Sequence, residues 1–165
     1  MPQPPLIVVM GVSGSGKSTI GRLLAERLEV PFIDADDLHP MTNVDKMAAG
    51  QPLDDDDRWP WLAKVGEAFA EASRTGVVVA CSALKRSYRD AIRAEAPGVT
   101  FVYLHGEREL LASRLGKREN HFMPATLLDS QLEALQVPGD DEGSVTVSVD
   151  GSPAEIVDEI AATLD

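Results

Sequence analysis

Short apolar runs alternate along the chain with longer segments in which apolar residues recur every three or four positions. Leu6 to Met10 is a continuous apolar run, the pattern of a strand buried on both faces. Over 17–29, Ile20, Leu23, Leu24 and Leu28 share one face and Arg22, Glu26 and Glu29 lie elsewhere, which predicts a helix. Pro31 to Asp34 predicts a brief second strand, and 41–49 a helix closed by Gly50. Asp54 to Asp57 precede a long helical pattern that runs to about Arg74 and is closed by Gly76. Val77 to Cys81 is the third strand, continuous and β-branched. A helix follows over 86–96, a fourth strand from Val99 to Leu104, helices over 107–118 and 124–135, and a fifth strand from Val145 to Val149. The last helix opens with Ser152 as N-cap, Pro153 in the first turn and Glu155 completing a capping box. This order predicts an α/β fold, a five-stranded and mostly parallel sheet flanked by helices. No repeat or linker divides the chain, so 1–165 reads as a single domain. The stretch from about Gly116 to Pro124 lacks apolar periodicity and carries charge, which predicts a mobile loop.

Composition narrows the class. With 44% hydrophobic residues in 165, the chain can bury a sizeable core. No apolar run approaches the roughly 20 residues needed to span a bilayer, and MPQPPLIVVMG has no basic region or cleavage pattern, so no membrane partner is expected. A lone Cys81 permits no intramolecular disulfide and suits a reducing cytoplasm. The net charge of -12 disfavours nucleic-acid binding, which needs a basic face. The charge is uneven, however. Residues 85–118 hold eight Lys and Arg against four Asp and Glu, a local +4 that can attract an anion within an acidic whole. Within that stretch Arg86, Arg93 and Arg108 are read as solvated helix faces.

The segment between the first strand and the first helix is GVSGSGKS, the pattern G-x-x-x-x-G-K-[ST]. In that context the glycines Gly11, Gly14 and Gly16 let successive backbone N–H groups point at phosphate oxygens. Lys17 would reach the β and γ phosphates, and Ser18 would place its hydroxyl on Mg²⁺. The nucleotide side is therefore assigned to Gly11, Ser13, Gly14, Ser15, Gly16, Lys17, Ser18 and Thr19, with ATP and Mg²⁺ as the implied ligands.

The acceptor side is expected at the carboxyl ends of the strands. Asp34 and Asp36 follow the second strand and can divide two jobs, orienting an attacking hydroxyl and serving Mg²⁺. Asp37 is read as a helix cap instead, and so are most of Asp54 to Asp57, whose charge complements a helix N-terminus. Arg58 offers a fork to a carboxylate or phosphate, or else pairs with a neighbouring Asp. Ser82 and Lys85 follow the third strand into the same crevice, and Lys85 and Arg89, one turn apart, could clamp an anion together. Cys81 reads as buried and inert. His39 is given a polar substrate contact and His121 a loop hydrogen bond. Arg114 and Arg118, at i and i+4, repel one another unless an anion sits between them, which marks 114–124 as a lid closing over ATP.

DADDLHP, the block N-V-D-K-M-A-A-G-Q-P-L-D-D-D-D-R-W-P-W-L, CSALKRSYRD and RENHFMP resemble the gluconate kinase (gluconokinase) family of small phosphate-loop kinases, over nearly the whole chain. The resemblance implies a three-layer phosphate-loop NTPase-like domain with a mobile lid at about 116–124. It implies ATP-dependent phosphorylation of D-gluconate at its 6-hydroxyl, in a homodimer. On this resemblance Lys17, Asp36 and Arg118 are the catalytic residues, with Asp36 as orienting base and Arg118 on the transferring phosphate. Ser18 and Asp34 serve the magnesium, and Arg114 lies against the adenine or phosphates. Asp36, His39, Arg58, Ser82, Lys85 and Arg89 face the acceptor. Asn120 stands where the family motif shows Gly, and Asn is the next-best residue for a left-handed turn. Two other readings compete: a shikimate-kinase-like enzyme, against which CSALK stands where Gly-Gly-Gly would be expected, and a nucleotide-binding regulator, which has no need of Asp36 or the lid arginines.

Overall fold

Five parallel strands form one sheet in the order β2-β3-β1-β4-β5. The computed structural model describes residues 4–12, 14–51, 53–116 and 125–164. The strands are β1 (Leu6–Met10), β2 (Phe32–Asp34), β3 (Val77–Ala80), β4 (Thr100–His105) and β5 (Val145–Ser148). The helices are α1 (Lys17–Leu28), α2 (Met41–Ala48), α3 (Asp55–Glu71), α4 (Arg86–Glu95), α5 (Arg108–Gly116), α6 (Ala125–Ala134) and α7 (Pro153–Leu164). The two-residue period of the strands sorts their side chains into two cores. Ile7, Val9, Val78, Val102 and Leu104 face α1 and α7, through Ile20, Leu24, Ile156 and Ile160. Val8, Met10, Val77, Val79, Phe101 and Tyr103 face α3 and α4, through Leu62, Val65, Phe69 and Ile92. The result is a three-layer sandwich with β1 in the middle, so the loop after β1 opens at the centre of the sheet's carboxyl edge.

The expected elements are present with small shifts at their ends. α1 stops at Leu28 because Glu29 turns left-handed at φ 58°. Leu23, expected on the buried face of α1, is 36% exposed, whereas Gly21 and Ala25 are buried beside Ile20 and Leu24. α3 ends at Glu71, three residues short of the expected Arg74. The predicted capping box at Ser152 forms, and so does a second at Asp54. Asp54 accepts from the Asp57 N–H at 2.8 Å while Asp57 accepts from the Asp54 N–H at 3.0 Å, and Ser152 and Glu155 do the same at the start of α7. Among the described residues, no helix is long and apolar enough to cross a membrane. The expected lid falls almost wholly on 117–124, outside the described residues, and so do Ser13, Arg118, Asn120 and His121.

Candidate active site

β1 delivers the chain into the loop Gly11 to Gly16, and α1 starts at Lys17 without a side-chain cap. Gly14 and Gly16 have φ of 86° and 87°, values that L side chains rarely adopt. A Cβ on Gly11 would lie 2.7 Å from Ser15 Oγ, so the loop is also too tight for alanine there. The uncapped first turn of α1 leaves its N–H groups for an anion. Ser15 Oγ is buried with no hydrogen-bond partner among the described residues, inside the same loop. Lys17 arches back over it, its Nζ donating to the Val12 carbonyl at 3.3 Å.

Across from the loop, Asp34 ends β2 and uses both carboxylate oxygens. Oδ2 accepts from Ser18 Oγ at 3.0 Å and Oδ1 accepts from the Asp36 N–H at 3.0 Å. The second contact caps a single 3-10 turn, Ala35–Leu38. Asp37 was expected to be a cap, but Asp34 holds that position because its side chain lies at the strand end, two residues before the N–H it accepts from. Asp36 sits on this turn. Protein atoms packed around its carboxyl raise its pKa, helped by the Asp34 carboxylate and opposed by Lys17 and His39. The turn is anchored from behind: buried Trp61 on α3 donates its Nε1–H to the Ala35 carbonyl at 2.7 Å.

His39 stacks on Trp61 with ring centroids 4.3 Å apart and planes 14° from parallel. Burial lowers its pKa, and so does Arg58, against the pull of Asp36. Buried Asn43 lies 3.2 Å from His39 Nδ1 through its amide nitrogen, which also donates to the Asp57 carbonyl at 2.8 Å. The amide can use one N–H for each acceptor, which assigns the neutral ring proton to Nε2. Lys46 then bridges both oxygens of Asp57 at 2.9 Å, joining α2 to the start of α3.

The cations on the acceptor side separate into two groups. Arg58 and Lys85 converge on Tyr88, 5.6 and 5.5 Å from its ring centroid. Asp55 accepts from the Tyr88 hydroxyl at 2.5 Å and from Lys85 Nζ at 3.3 Å, and it lies 3.9 Å from Arg58 Nη1. Asp55 therefore does more than complement the helix N-terminus. The Tyr88 hydroxyl first, and Lys85 with Arg58, hold its pKa below the usual carboxylate range. Ser82 is half-buried in the segment between β3 and Lys85. The neighbouring Cys81 is buried, with burial pushing its thiol up to about 12, as expected of an inert cysteine.

Arg89 corrects the expectation of a clamp with Lys85. It is fully buried, and each of its five N–H groups is already donated. Nε and Nη2 reach Glu142 at 2.7 and 3.1 Å, Nη1 reaches the Ala83 and Leu84 carbonyls at 2.9 and 3.3 Å, and Nη2 also reaches the Gln136 carbonyl at 2.9 Å. No donor remains for a substrate. Arg93 is corrected too: it binds Glu142 at 2.6 Å and covers the Phe101 ring at 4.6 Å, and is not a solvated surface group. Arg86 and Arg108 do lie on open faces, paired with Asp141 and Asp129.

Arg114 donates to the Val149 carbonyl at 2.5 Å and lines a pocket of about 360 Å³ with Gly14, Gly16, Thr19, Gly151 and Pro153. That pocket lies between the phosphate loop with α1 and the start of α7. The sequence reading missed Asn43, Asp55, Trp61 and Tyr88. A signal existed for each: all four fall inside the conspicuous blocks from HP-x-x-N to PWL and CSALKRSY.

Comparison with known proteins shows the family. The shikimate kinase family model matches residues 13–165. A gluconokinase of Gluconobacter oxydans (strain 621H) is 48% identical over 160 residues, covering 96% of this chain and 90% of that protein. The thermoresistant gluconokinase of Escherichia coli (strain K12) is 44% identical, covering 97% and 91%. A crystal structure of a gluconokinase from Sinorhizobium meliloti 1021 is 56% identical, with a TM-score of 0.89 over 98% of this chain and 91% of that one. A shikimate kinase structure from Aquifex aeolicus, at 19% identity and a TM-score of 0.62, shares the fold. By sequence over nearly its whole length and by fold, this chain belongs to the gluconokinase family.

Proposed function

We propose that this protein is an ATP-dependent gluconokinase, transferring the γ-phosphoryl group of ATP to the 6-hydroxyl of D-gluconate to give 6-phospho-D-gluconate and ADP. The observation that carries the reading is a facing pair of elements at the sheet's carboxyl edge, one after the central strand β1 and one after β2. The Gly11–Ser18 loop forms a donor cradle, and the Asp34–Asp36 turn stands across it, linked by the 3.0 Å contact of Ser18 with Asp34.

The loop N–H groups and the start of α1 bind the phosphates, and Lys17 neutralises charge on the β and γ groups. Arg114 and the pocket beside Gly151 and Pro153 take the rest of the nucleotide. Asp36 orients the acceptor hydroxyl and receives its proton, a task its raised pKa suits. Arg58 and Lys85 meet the gluconate carboxylate, in competition with Asp55, which already occupies them with a carboxylate of the protein's own. His39 and Ser82 contact hydroxyls of the acceptor. Arg118 belongs with the transferring phosphate. Ser18 and Asp34 present paired hard oxygen donors, a set that fits Mg²⁺ and would hold it. When bound, Mg²⁺ neutralises developing charge on the phosphate oxygens. Transfer then needs only positioning and charge neutralisation from the protein. A single domain over 1–165 with a lid near 116–124, a homodimer and a cytoplasmic setting complete the reading, supported by the resemblance and, for the last, by the lone buried Cys81.

A coupled ADP-release assay with gluconate, other aldonic acids, shikimate and nucleoside monophosphates tests this. Gluconate-dependent turnover is expected. Turnover with another acceptor and none with gluconate overturns it.

A further inference from the structure

The buried pair of Arg89 and Glu142 touches no group used in the proposed transfer, yet it grips an irregular segment beside two acceptor-side residues, Ser82 and Lys85. We propose that Arg89, held by Glu142 and assisted by Gln136, is a positioning device that fixes the backbone of 83–86 and thereby places Ser82 and Lys85 for the acceptor. The inference rests on the gluconate reading above.

Ala83 is fully buried at φ 44°, a left-handed conformation that an L residue rarely adopts unless its surroundings enforce it. The enforcement is visible. Arg89 Nη1 donates to the carbonyls of Ala83 and Leu84. The Gln136 N–H donates to the same Leu84 carbonyl at 2.7 Å, and Gln136 Oε1 accepts from the Arg86 N–H at 2.9 Å. The segment is thus pinned at Ala83, Leu84 and Arg86, just where Ser82 and Lys85 leave it. Glu142 in turn fixes the guanidinium plane through Nε and Nη2, and is itself fixed by Arg93 and the Gly139 N–H. None of these partners lies in the phosphate loop or α1. Loosening the pin therefore moves acceptor groups and leaves the nucleotide cradle in place.

Steady-state kinetics on the whole protein separate this role from a merely structural one. Arg89→Lys keeps the charge but cannot span the same acceptors. It is expected to raise the KM for gluconate about tenfold while the KM for ATP stays within about twofold. Gln136→Ala removes only the side-chain bond to the Arg86 N–H at an exposed position, and is expected to raise the gluconate KM about threefold. A folded variant with an unchanged gluconate KM and a lowered Tm overturns the inference, as does a parallel rise in both KM values. If Arg89→Lys does not fold, Gln136→Ala decides by the same criteria. Wild-type protein that ignores gluconate overturns the acceptor reading alone, and the KM comparison is then made with the acceptor it does use.

Discussion

Replacing Glu142 with Gln keeps the shape of this buried side chain and removes its charge. The carboxylate is 1% exposed and accepts four hydrogen bonds, two from Arg89, one from Arg93 and one from the Gly139 N–H, between 2.6 and 3.1 Å. Burial pushes its pKa up, but these bonds outweigh burial and bring it from 4.5 down to about 2. At about 1.4 kcal/mol per pH unit, the ionised form is favoured in the folded state by about 3 kcal/mol. Because the folded pKa lies below the unfolded one, this stability is fully present above pH 4.5 and is lost as pH falls towards about 2. Glu142→Gln should therefore unfold about 3 kcal/mol more easily in urea at pH 7, and melt about 10 °C lower for a chain of this size. The deficit should hold at pH 6 and close as the pH is taken below 4.5, because a protonated glutamic acid and a glutamine leave Arg89 equally without a counter-ion. Urea titrations of both proteins between pH 7 and pH 3 read the gap directly. A gap that stays constant over that range refutes the argument, and so does a gap under about 1 kcal/mol at pH 7.

Further outcomes follow from the reacting side. Asp36→Asn should lower kcat by about 10²- to 10⁴-fold while titration of an ATP analogue gives an unchanged Kd; retained turnover removes Asp36 from its role. The raised pKa of Asp36 places the acid limb of kcat/KM for gluconate above 3.8, and a limb at or below that value contradicts the assignment. Trp61→Phe strands the Ala35 carbonyl and should cost about 1–3 kcal/mol in urea unfolding, with a fall in kcat as the Asp36 turn loosens. Ser18→Ala should raise the Mg²⁺ concentration giving half-maximal rate by about tenfold or more, measured at saturating ATP and gluconate.

What the sequence disclosed were the short-range features. The Ser152 and Glu155 capping box needs only residues three apart, and the strand periods need only their own side chains, so both were legible. The phosphate loop was legible for the same reason. Arg89 was misread because its acceptors arrive from Gln136 and Glu142, 47 and 53 residues away, and no local pattern announces them. Read beside Lys85, it looked like a second cation for the substrate; in the fold it points the other way. Asp34 was placed near magnesium, but the Ala35 turn it caps was not read, and Asp37, read as a helix cap, lies inside that turn, since sequence alone cannot say where a strand ends to within one or two residues. Trp61 reaches the Ala35 carbonyl from 26 residues away and Asn43 the Asp57 carbonyl from 14, so their roles depend on where α3 lies, which sequence spacing does not encode.

The pocket beside the phosphate loop is lined at once by Gly14, Gly16, Thr19 and Ile20 and by Gly151, Pro153 and Ile156, and α7 packs on α1. On the ribosome, the central strand β1 and its loop emerge first, but β1 lacks its neighbours until β3 and β4 have been made. The wall contributed by α7 comes last of all. A nascent chain stopped before residue 151 would carry every residue of the phosphate loop and still lack one wall of this pocket. That pocket is therefore complete only once α7 has been made and packs on α1.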